Sequence, residues 1–189
     1  MARISLPTPD EMSPEQRRVY DKVVSGPRGK IQGPLRAALH NAELAERWQA
    51  LGALLRYNTS LPPRLSELAI LITGRACNSP FEWYAHRLEA EKAGIEPAII
   101  EAILAETAIE GLADDDRAIV QYALELNRFN SVSDATYATA LARFGERAVV
   151  ELTALVGYYT MVAMTLNAHE IPLPDGVAPA FALPQRTMQ

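Results

Sequence analysis

The stretch from Val149 to Leu166 constrains this chain most. Val149, Val150, Leu152, Leu155, Val156, Met161, Val162, Met164 and Leu166 occupy nearly every face of a helix, more than one narrow stripe can hide. Glu151, Thr153, Gly157 and Thr160 interrupt the run, so it reads as a buried helix and not as a membrane span. Such a helix is either central to a bundle or covered by another subunit. Elsewhere there is no sustained period-two alternation and no Asn-Gly or Asp-Gly hairpin turn. The expected fold class is all-α.

Helix-start signals recur along the rest of the chain. Ser13-Pro14-Glu15-Gln16 places an N-cap at Ser13 and a capping-box partner at Gln16. Asn41 caps a helix to about Tyr57, with Leu44, Trp48, Leu51, Leu54 and Leu55 at helical spacing. Pro62-Pro63 opens a helix to about Cys77, and Ser79-Pro80 opens another that stops at Gly94. Further helices are expected over Pro97 to Ala105, Asp114 to Arg128 and Ser133 to Phe144, with Gly145-Glu146 leading into the long apolar helix that ends near His169. Ser25 to Pro34 reads as a loop, and Pro172, Pro174, Pro179 and Pro184 mark a non-helical C-terminal arm. The reading is one domain over 34–171, an N-terminal helix and loop arm over 1–33, and a Pro-rich arm over 172–189.

Composition narrows the classes of function. A formal net charge of -5 argues against nucleic acid as a partner. The single cysteine, Cys77, cannot form an intramolecular disulfide, and Met1 to Asp10 lacks a long apolar run, so the cytoplasm is the expected location and no membrane partner is expected. There is no phosphate-cradling glycine loop, and His40, His86 and His169 are not spaced as metal ligands. No organic cofactor and no metal are expected.

The chemistry-bearing residues concentrate between Glu67 and His86. Glu82 and His86 are four apart and share a helix face, so the carboxylate can orient the imidazole and raise its pKa. Glu67 sits in an apolar run with Leu68, Ile70, Leu71 and Ile72, where a carboxylate is either paired or held at raised pKa. Each has a plainer reading. Ser79-Pro80-Phe81-Glu82 is also a capping box, which local sequence favours for Glu82. His86 could be a satisfied core or surface histidine, and Glu67 could pair with Arg64. Cys77 reads as a small buried hydrophobe, and residues such as Trp83 and Tyr84 more often pack than bind substrate.

At these residues the sequence resembles the carboxymuconolactone decarboxylase family of the alkylhydroperoxidase D-like superfamily. The similar stretches are Pro34 to Tyr57, Leu61 to Gly94 and Phe144 to Asn167, with Glu-Trp-x-x-His followed by Ala-Gly the most specific piece. The resemblance implies an alkylhydroperoxidase D-like helical bundle, assembled as a trimer or hexamer. Redox members of the superfamily carry Glu, a Cys-x-x-Cys pair and His at fixed offsets. Counted back from His86, the thiol positions fall on Ser79 and Glu82, and Cys77 is two residues out of register. Dithiol peroxidase chemistry is therefore not expected. What remains resembles the decarboxylase branch, which implies loss of CO2 from a small carboxylated lactone. In that reading His86 is the acid/base, Glu82 orients it, and Glu67 is a second proton-transfer group or the positioner of His86. The three are expected to converge on one partly buried pocket near a subunit boundary. Arg75, Arg64, Arg56 and Arg36 are candidates to hold the substrate carboxylate. Trp83, Tyr84 and the Leu35 to His40 segment, His40 included, are candidate pocket walls. A non-enzymatic, accessory helical oligomer is the alternative.

Overall fold

Eight α-helices build the protein, and no strand occurs among the described residues. The structure is a computed structural model that describes residues 2–26 and 29–183; Pro27, Arg28 and Pro184 of the expected loop and arm lie outside them. In chain order the helices are α1 (Pro14–Val24), α2 (Pro34–Ala38), α3 (Ala42–Tyr57), α4 (Pro63–Ala76), α5 (Pro80–Lys92), α6 (Pro97–Ala105), α7 (Asp114–Phe129) and α8 (Asp134–Ala168). Five of them, α1, α2, α4, α5 and α6, have proline in the first turn, where its missing N–H costs no intrahelical bond. Ser13 and Gln16 form the expected capping box, and Asn41 Oδ1 accepts from Leu44 N at 3.0 Å. The short α2 falls where the sequence suggested only a pocket wall; Gly33, at positive φ, and Pro34 start it.

The central helix is α4. Ten consecutive residues, Leu65 to Gly74, are buried, because α5, α7 and α8 pack around it while α6 and α3 close the remainder. This explains why the run has no polar stripe: Leu68, Ala69, Ile70, Leu71 and Ile72 all face a neighbour. The long α8 is less enclosed than its composition suggests. Leu152, Leu155, Val156, Tyr159, Val162, Ala163 and Leu166 pack inward, while Val150 (67%) and Met164 (63%) stay exposed. With Ala154, Gly157, Met161 and Ala168 they form an uncharged outward stripe at alternating spacings of four and three. By length and composition α8 could cross a membrane, yet half of its most apolar window is buried inside the bundle. On α3, Trp48 and Leu55 reach the core, whereas Leu44, Leu51 and Leu54 are exposed.

A break lies where the sequence expected it. Gly145 sits at φ 77°, ψ 167° inside α8 and separates arms 134–144 and 146–168. That backbone region is essentially restricted to glycine. An added Cβ would meet nothing within 4 Å, so the constraint is torsional and not steric crowding by neighbours. Gly145→Ala is therefore expected to destabilise the protein by about 1–3 kcal/mol, read from denaturant unfolding. An unchanged midpoint would show that the break can straighten at no cost.

Candidate active site

Three residues join α4 to α5, and the backbone bonds of that joint decide what Glu82 does. α4 ends in a Schellman motif: Asn78 N–H donates to the Arg75 carbonyl and Ser79 N–H to the Gly74 carbonyl, each at 2.9 Å. Asn78 takes the left-handed conformation the motif requires (φ 49°), which asparagine tolerates better than most residues. The Ser79 amide is thus already engaged. A capping box would need it for Glu82, so the box does not form, and Ser79 Oγ makes no cap bond. The capping reading of Glu82 is corrected on this point: its carboxylate turns to His86 instead.

His86 lies between two carboxylates. Nδ1 donates to Glu67 Oε2 at 2.6 Å, and Nε2 lies 3.0 Å from Glu82 Oε1. Glu67, Glu82 and His86 are all buried. Burial by itself would lower the imidazole pKa, but the charge and hydrogen bond of Glu67, seconded by Glu82, raise it to about 9. The raised value favours the imidazolium at neutral pH, with Nδ1 bonded to Glu67 and Nε2 at ion-pair distance from Glu82. Arg56 of α3 approaches Glu67 Oε1 at 4.0 Å. The Tyr159 ring of α8 stands edge-on to the imidazole, with centroids 4.8 Å apart, and continues through Tyr158 to Trp48 as an aromatic wall. Burial, with Glu82 and Glu67 adding to it against Arg56, pushes the Tyr159 hydroxyl well above its ordinary pKa. Tyr159 was not singled out in the sequence, where it is one aromatic among the apolar residues of α8.

The other candidates sit elsewhere. Arg75 is eight residues beyond Glu67 on α4, about 12 Å along the axis. It is bound to the Leu104 carbonyl, Asn78 and Glu106, and its guanidinium lies over Phe181. None of these partners belongs to the His86 cluster. Arg64 is paired with Asp116 and Glu96, and Arg36 donates to the Leu6 carbonyl. His40 is exposed and bonded through Nε2 to the Ser5 carbonyl at 2.8 Å, on the N-terminal arm. Trp83 is buried edge-on to Phe181, and Tyr84 is half-buried. Of the four arginines, Arg56 alone meets the cluster. Burial and the nearby Glu82 push the Cys77 thiol up against a hydrogen bond to Thr160. Among the described residues no group of three or more His, Cys, Asp or Glu is arranged to hold a metal. The five surface cavities described are lined by none of Glu67, Glu82 and His86.

The fold is that of alkylhydroperoxidase D-like proteins. A peroxidase-related protein from Silicibacter sp. TM1040 superposes with a TM-score of 0.75 at 15% identity, covering 90% of this chain and 91% of that one. A peroxidase-related protein from Ralstonia eutropha JMP134, described as an alkylhydroperoxidase AhpD core, gives 0.75 at 13% identity, covering 92% and 93%. The debrominase Bmp8 gives 0.71 at 13% identity, covering 92% and 91%. Residues 42–125 match the model of the carboxymuconolactone decarboxylase family. No curated protein sequence matches it.

The raised pKa gives a signed expectation. Because the folded value lies above the unfolded one, the stabilisation is full below about pH 6.5 and is lost as pH rises through about 9. Wild type should lose on the order of 2–4 kcal/mol across that window, and Glu67→Gln should flatten the slope. Denaturant midpoints at pH 6 and pH 9.5 measure this, and imidazole nitrogen NMR shifts at pH 7.5 report the protonation directly. A neutral imidazole at that pH would refute the charged cluster.

Proposed function

We propose that the Glu67–His86–Glu82 cluster is the proton-transfer centre of a cofactor-free lyase acting in the cytoplasm on a small carboxylated lactone or related aromatic-degradation metabolite. The observation that carries this reading is a buried imidazole held between two carboxylates, with Arg56 beside the outer one. A buried ion cluster is weak as a stabilising device, since well-packed apolar residues often serve as well. It is well suited to storing a proton near a reacting carbon.

In this reading Arg56 binds the substrate carboxylate. The bond from the ring carbon to that carboxylate breaks, CO2 leaves, and the electron pair spreads into the lactone carbonyl as an enolate. The cluster returns a proton to carbon: His86 supplies it, Glu67 passes it on the Arg56 side, and Glu82 holds Nε2. Water then restores the proton to His86. The family match supports the class, and the complex of a Bmp8 variant with 2,3,4-tribromopyrrole shows that a protein of this fold accepts a small ring. Thiol peroxidase activity is disfavoured, because Ser79 and Glu82 occupy the thiol positions and the Cys77 thiol is held up by burial.

One observation favours the accessory reading: no described cavity reaches the cluster. The two readings separate experimentally. A metabolite screen by thermal stabilisation, with mass spectrometry for loss of CO2, identifies a substrate. On it, His86→Gln should lose roughly 10²-fold or more in turnover, and Arg56→Gln should act mainly through KM. Full activity in both variants would leave the accessory reading ahead.

The same reading includes a homo-oligomer, a trimer or a hexamer. Its support is the outward stripe of α8, whose small central residues Ala154 and Gly157 allow close approach of a second copy. Light scattering at micromolar concentration should give a multiple of 20.7 kDa, and a monomer would contradict it.

A further inference from the structure

A cleft lined by other residues than the His86 cluster opens beside α4. A cavity of ≈ 460 Å³ lies between α4, α6 and α7 beneath the 106–112 segment. That volume is within the range of small-molecule sites, about 300–1,000 Å³. Ile72, Ile103, Ile109, Leu112, Val120 and Leu124 give it an apolar interior. Its charged groups are Arg75, Arg117 and Glu106, a sum of one positive charge.

The two guanidiniums differ in their engagement. Arg75 is held by Glu106, by the Leu104 carbonyl at 2.9 Å and by Asn78 at 3.0 Å. Arg117 donates to the Leu112 carbonyl at 2.9 Å and has no carboxylate partner among the described residues. Asp114, which shares a neighbouring groove with it, is paired with Arg143. Glu106 itself is held in the left-handed conformation (φ 55°) at the end of α6, where glycine is the usual residue. A non-glycine residue there costs backbone strain, and its carboxylate is clamped by Arg75.

We propose that this cavity binds an amphipathic monoanion, a carboxylate with an apolar body, at a site separate from the Glu67–His86–Glu82 cluster. The carboxylate meets Arg117, whose remaining N–H groups are suited to it, and the body lies among the isoleucines and leucines. The pair of Arg75 and Glu106 neutralises itself and fixes the wall. Specificity follows from the charge sum: a neutral analogue forgoes the ion pair with Arg117, and a dianion exceeds the single available positive charge.

The site is tested by isothermal titration calorimetry on the full chain with octanoate and 3-phenylpropionate, using 1-octanol as the neutral control. Saturable binding of either acid, one per chain, is expected; which acid binds more tightly tells whether the body is a chain or a ring. Arg117→Gln should weaken the acid roughly tenfold or more and leave 1-octanol unchanged. Val120→Phe, which fills the cavity, should abolish binding, with circular dichroism as the check on folding. His86→Gln should bind like wild type. Lack of saturation by both acids at millimolar concentration, wild-type affinity in Arg117→Gln, or loss of binding in His86→Gln would each overturn the proposal. None of these readouts depends on the lyase reaction.

Discussion

The structure turns on the compensation of one buried charge. An imidazolium placed in the interior without partners would release its proton, because desolvation penalises the charged form. Here Glu67 and Glu82 flank the two ring nitrogens, which favours the charged form in a buried position. The arrangement needs α4, α5 and α8 in register: α4 brings Glu67, α5 brings Glu82 and His86, and α8 lays Tyr159 against the ring. Removing one carboxylate would leave the rest in an environment that punishes unpaired charge.

Much of this was legible in the sequence. Proline and cap residues marked the helix starts because they act locally, within one turn. Gly145 announced the break in α8 for the same reason. The convergence of Glu67, Glu82 and His86 was partly legible, since spacing of four on a helix and a short connection bring such residues together. What the sequence did not resolve was competition for the Ser79 amide. Two motifs, a helix C-terminus and a capping box, claim the same N–H, and local pattern does not rank them. Tyr159 was obscure for another reason, since its place arises from packing across 73 residues of chain, counted back to His86; Arg56 stood among four candidate arginines that local pattern did not rank.

The comparison with redox relatives becomes physical at α5. A thiol at a helix N-terminus is activated by the dipole and by neighbouring positive charge. In this chain the position nearest the imidazolium holds Glu82, so the same field stabilises a carboxylate. In place of a thiol, α5 presents a carboxylate to the imidazole of His86.

Finally, α4 has no outside. From Leu65 to Gly74 each side chain abuts another element, with the acid–base cluster along one flank and an apolar chamber along another. A helix with a solvent-facing stripe can absorb sequence drift there at little cost. One packed on most sides has less room, and away from the cavity beside Ile72 a change of volume must be matched by a change across the contact. Diversification of chemistry in such a protein is then pushed outward, to the surrounding helices and the arms that cover them.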